Sequence, residues 1–61
     1  MNEKIAIEIL DGSNRWLRIN TGVLNNSQSI SRSLLDAKRI YPKYRVRAVG
    51  SISGSLYDML S

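Results

Sequence analysis

Basic and aromatic side chains carry what chemistry this chain has. Trp16, Arg18, Lys43, Arg45 and Arg47 are the types that hold anions, because guanidinium forks and ammonium groups pair with phosphates or carboxylates and a ring accepts a stacked base. Arg45 and Arg47 lie two apart in an alternating segment, so on a strand they point the same way about 7 Å apart, close to the spacing of successive phosphates. Seven of the nine Lys and Arg residues fall between Arg18 and Arg47, and five of those lie from Lys38 to Arg47. Against five Asp and Glu they give a net charge of +4 and a sequence pI of about 10.0. That bias favours an anionic partner such as nucleic acid, a membrane surface or an acidic protein patch. A charge of this size also simply keeps a small domain dispersed.

Other chemistries are excluded by composition. With no Cys and no His, disulfides, thiolate nucleophiles and zinc sites of the Cys/His type are impossible, and Ser27, Ser29, Ser31 and Ser33 have no histidine base. The carboxylates Glu3, Glu8, Asp11, Asp36 and Asp58 are scattered, so no metal or other cofactor is expected. Gly50-Ser51-Ile52-Ser53-Gly54 lacks the Lys and Ser/Thr that must follow in a phosphate-binding loop, and serves better as a hairpin turn. A chain of 61 residues offers little depth for shifting the pKa of a catalytic acid or base. A non-enzymatic binding protein is the expectation. No apolar run approaches the roughly 20 residues that cross a bilayer, nor is there a signal-peptide h-region, so a cytoplasmic chain with no membrane role is expected.

These side chains need elements to position them. Residues 1–61 are expected to form one domain, which at this size buries only about 60% of its unfolded surface. Ile5, Ile7 and Ile9 alternate in a period of two and predict a strand with an apolar face. Asp11-Gly12-Ser13-Asn14 is a cluster of turn formers, and Arg15–Ile19 reads as the returning strand. Placing Leu17 and Ile19 on the Ile face pairs Ile7 with Leu17, centres an odd-numbered loop on Gly12, and puts Trp16 and Arg18 on the other face beside Glu8 and Ala6. An even loop would drive Trp16 into the core but would also turn Arg18 inward, at the cost of a buried charge.

Residues 20–26 read as a loop, followed by a helix capped by Ser27 or Ser29, running to about Ile40 and stopped by Pro42. Ile30, Leu34, Ala37 and Tyr41 recur at helical spacing, flanked by Leu35 and Ile40. Tyr44–Val49 and Ser55–Leu60 then read as a second hairpin, with Val46 opposite Met59, Ala48 opposite Tyr57, and Arg47 meeting Asp58 on the outer face.

The resulting order is ββαββ, a two-layer α+β fold with one helix on a small antiparallel or mixed sheet. The expected core is Ile5, Ile7, Ile9, Leu17, Ile19, Ile30, Leu34, Ala37, Val46 and Ala48. The uncovered face gathers Trp16, Arg18, Arg45 and Arg47, with Leu56 and Leu60 at its side. Such a face suits nucleic acid or a protein interface. Arginines also alternate outward on any two-sided strand. A core this small, with no cross-links and an unpaired sheet edge, further predicts a homodimer through that edge or through Trp16, Leu56 and Leu60.

The stretch from Tyr41 to Val49, with the Gly-bearing turn and Leu56-Tyr57-Asp58-Met59-Leu60, resembles the tail of small accessory proteins encoded by bacteriophages and prophages; the likeness extends loosely to Asp11-Gly12 and Arg15-Trp16. Gly50 and the long Ser/Gly turn depart from the tighter turns of such proteins. The resemblance implies a protein in a bacterial host's cytoplasm that binds nucleic acid or inhibits a host protein complex, such as a restriction, CRISPR or transcription system.

Overall fold

The computed structural model describes residues 3–60. Strands β1 (Ile5–Leu10) and β2 (Trp16–Val23) precede helix α1 (Ser27–Ile40), and β3 (Val46–Gly50) and β4 (Leu56–Leu60) follow it. The strands form one sheet in the order β2-β1-β3-β4, every neighbouring pair antiparallel, with α1 on one face. This is the ββαββ, two-layer α+β architecture that the periodicities imply, with a sheet that is wholly antiparallel.

The alternation of β1 sets the core. Ile5, Ile7 and Ile9 pair across β3 with Gly50, Ala48 and Val46, and this row meets the stripe Ile30, Leu34 and Ala37 of α1. Tyr41 and Leu60 close the margins, half-buried. Ala48 is fully buried within that core. The cap of α1 is Asn26 rather than Ser27 or Ser29. Its Oδ1 accepts from the Ser29 N–H at 2.8 Å from an extended backbone, and Asn shares the short acceptor that makes Ser a good cap.

Three further expectations are corrected. The first hairpin keeps the expected parity but is shifted by two residues, with Ile9 opposite Leu17 and Glu8 opposite Arg18, so the odd loop centres on Ser13. Asp11 is the reason. Its Oδ1 accepts from Ser13 N, Ser13 Oγ and Arg15 N, each at 2.9 Å, and Asn14 takes a positive φ of 67°. The Arg15 N–H bond foremost, then those from Ser13, hold the Asp11 carboxyl below its ordinary range.

Residues 20–23 are not a loop, because β2 runs on to Val23 through two register shifts. Gly22, at φ +83°, absorbs the irregularity and carries Val23 into the core opposite Ile5. Leu17 and Ile19 are consequently exposed, at 45% and 37%, although they stand on the helix side. The helix sits over β1 and β3, and outermost β2 extends past its cover. A groove of about 250 Å³ lined by Ile7, Ile19, Ala37, Ile40 and Tyr41 opens between them.

In the second hairpin Val46 faces Leu60, Arg47 faces Met59 and Ala48 faces Asp58, with a shift before Val49 meets Leu56. Asp58 therefore points to the helix side. It avoids the desolvation that argued against this parity because β4 is the outermost strand and Asp58 stays exposed.

Ile7, with 1% of its surface accessible, touches both layers. Ile7→Ala is expected to cost about 2 to 5 kcal/mol, most of the stability of a domain this small. Thermal unfolding followed by circular dichroism checks this, and an unchanged midpoint would mean that β1 does not carry the core.

Candidate functional site

The face of the sheet away from α1 is built in rows. Trp16 pairs with Leu10, whose N–H donates to the Arg45 carbonyl at 2.9 Å, so Trp16, Leu10 and Arg45 form one row across three chain segments. Arg18, Glu8, Arg47 and Met59 form the next, and Ala6, Val49 and Leu56 the third. Strand alternation thus brings Trp16, Arg18, Arg45 and Arg47 to one face.

Glu8 organises that face, a role that the alternation of β1 alone does not reveal. It is buried at 7% exposure in the middle of the sheet. Its Oε2 accepts from Arg18 Nε at 3.1 Å, and its Oε1 accepts from Arg47 Nε at 2.8 Å and lies 2.7 Å from an Arg47 terminal nitrogen. Arg47, which alternation alone would give to Asp58, reaches Glu8 because β3 pairs with β1. Each charge sits on a different strand. The guanidinium carbon of Arg47 lies 4.0 Å from the centre of the Trp16 ring, a cation–π contact. Arg18 donates further to the Ser51 carbonyl at 3.2 Å, and its two anchor points bracket the Ala6–Val49 pair. Ala6 and Val49, between those anchors, are buried although this face carries no helix.

Two arginines on one carboxylate leave the cluster with excess positive charge, and both remain accessible, with side-chain exposures of 39% for Arg18 and 30% for Arg47. Arg45, just ahead of β3, is exposed and makes no ion pair among the described residues. Lys43 is exposed in the turn between α1 and β3. That turn is held by the Lys38 ammonium donating to the Tyr44 carbonyl at 2.7 Å and by Tyr41 and Tyr44 stacked at 6.3 Å. Leu56 and Leu60 do not share a surface. Leu56 stands exposed on the arginine face, while Leu60 turns to the helix side and packs against the core.

Among the described residues no three carboxylates converge to hold a metal ion, and no helix is long and apolar enough to cross a membrane. No protein-family model, curated protein or solved structure matches this chain.

Replacing Glu8 by Gln keeps its shape but removes the charge that both arginines share. The change is expected to lower stability by about 1.5 to 3 kcal/mol, the range for hydrogen bonds to a charged group. It should also shift the emission of Trp16, the sole tryptophan, as Arg47 loses its anchor. Denaturant unfolding and fluorescence check both effects. A variant matching the parent in both would remove Glu8 from its organising role.

Proposed function

We propose that this chain is a non-enzymatic binding module that takes an anionic partner, nucleic acid before other classes, on the Trp16, Arg18, Arg45 and Arg47 face. The observation that carries the reading is the Arg47 guanidinium, pinned on one edge by Glu8 and stacked on Trp16 while part of it stays open to solvent. An arginine ordered in advance loses less entropy on binding, and a ring beside a guanidinium plane offers bases a place to stack while neighbouring cations meet phosphates. Arg45 and Lys43, exposed at the same end of the sheet and without an ion pair among the described residues, supply those cations.

A second reading, a phage-type inhibitor or adaptor that docks on a host protein complex in the bacterial cytoplasm, draws support from Leu56 and Met59. These are 57% and 41% exposed on the arginine face. Apolar side chains beside Trp and Arg are the composition of protein hot spots. Self-association through the same apolar side chains belongs with this second reading, and sedimentation tests it.

Titration with single- and double-stranded oligonucleotides, followed by Trp16 emission, separates the readings. Arg45→Ala and Lys43→Ala are the informative variants, because Arg47 also holds the sheet together through Glu8. Each is expected to weaken binding for every sequence tested and to reduce the log–log slope of affinity against salt by roughly 0.7 to 0.9 for each phosphate no longer neutralised. Emission unchanged by any oligonucleotide at low salt would exclude nucleic acid and leave the protein-docking reading.

A further inference from the structure

The turn joining β3 and β4 lies at the end of the sheet away from Trp16, and it holds an anion. Glu3 Oε1 accepts from the backbone N–H groups of Ile52 at 3.0 Å and Ser53 at 2.9 Å, and Oε2 accepts from the hydroxyls of Ser53 at 2.6 Å and Tyr57 at 3.3 Å. All four donors are neutral, and no Lys or Arg among the described residues pairs with Glu3. Converging backbone N–H groups of this kind form an anion-binding concavity. The Ser53 hydroxyl foremost, then the Ser53 and Ile52 N–H groups, hold the Glu3 carboxyl at about 2, so its charge is present throughout the physiological range.

Bonds that do not involve Glu3 also shape this turn. The turn is closed by Gly54 N–H to the Gly50 carbonyl and Gly50 N–H to the Ser55 carbonyl, both at 2.9 Å. Ser51 N–H bonds to the Lys4 carbonyl at 2.9 Å, and the Ser55 N–H donates to Ser53 Oγ at 3.1 Å. Gly54 makes the reversal with φ +73°. Gly50 forms the floor, where a Cβ would collide with the Glu3 carboxylate, so space beneath the anion is kept open. Tyr57 is steadied from the other side by Asn25 Nδ2 at 3.4 Å, and the first turn of α1 beyond it carries no acidic residue.

We propose that the Ile52–Ser53 turn, with the Tyr57 hydroxyl, is a preformed oxyanion site that Glu3 occupies in cis and that receives a carboxylate or phosphate group in trans when Glu3 is displaced. Glu3 then acts as a built-in competitor. A tethered carboxylate acts at an effective concentration on the order of mM, so a free oxyanion meets a site already filled, whereas one on a partner docked elsewhere on the chain can compete.

The test is amide NMR of the full chain, comparing the parent with Glu3→Ala during titrations with sodium acetate and, separately, inorganic phosphate, against sodium chloride at equal ionic strength. In Glu3→Ala the Ile52 and Ser53 amides are expected to shift saturably, half-saturating at a concentration roughly tenfold or more below that for the parent. Adding Ser53→Ala should weaken the response. Response to acetate alone would support a carboxylate-bearing ligand, and to phosphate alone a phosphorylated one. Equal responses from parent and variant, a response that chloride reproduces, or indifference to Ser53→Ala would overturn the proposal. Should Glu3→Ala fail to fold, Glu3→Ser, whose hydroxyl is too short to fill the site, replaces it under the same criteria.

Discussion

A single carboxylate in the middle of the sheet constrains most of what surrounds it. Glu8 lies on β1, the strand whose residues are buried on both faces, and a charge in that position must be paired or neutralised. Its two partners come from the strands on either side, Arg18 from β2 and Arg47 from β3. A slip of one residue in either neighbour would turn the arginine to the other face and leave Glu8 without it. The ionic cluster therefore fixes the register of three strands and, through Arg47, seats a guanidinium on Trp16. Fold and candidate face share one set of interactions.

The local periodicities explain which parts were legible. Ile5, Ile7 and Ile9 define a face by themselves, and hairpin parity then assigns Trp16, Arg18, Arg45 and Arg47 to the opposite face, where they lie. The role of Glu8 was not legible from hairpin logic, which joins β1 to β2 and β3 to β4 but is silent on which strands meet in the centre. Arg47 reaches Glu8 across the β1–β3 pair, a bond between residues 39 apart in sequence. Departures from regularity were also hidden. The extra residues in β2 depend on Gly22 adopting a positive φ inside a strand rather than in a loop, and nothing in a run of Asn, Thr and Gly distinguishes those outcomes. The position of Asp58 depended on β4 being outermost, where a charge on the helix side still meets water.

The two ends of the sheet satisfy their acids by different means. Glu8 is matched by two cations and sits nearly dry, whereas the partly exposed Glu3 is matched by neutral N–H and O–H donors. Charge-assisted bonds are strong in both settings, but only the first ties three neighbouring strands together. The second ties the residue just ahead of β1 to the β3–β4 turn.

The irregular borders of the sheet bear on how the chain behaves among its own copies. An outermost strand ordinarily offers a row of free N–H and C=O groups on which another strand can grow. Here one border is distorted by two successive shifts between Arg18 and Val23, and the other is short, shifted near Tyr57 and carries Asp58 on the helix side. Bulges, brevity and a charge set toward the core are the devices by which natural sheets refuse further strands. A crowded solution of this chain should resist ordered stacking into fibrils.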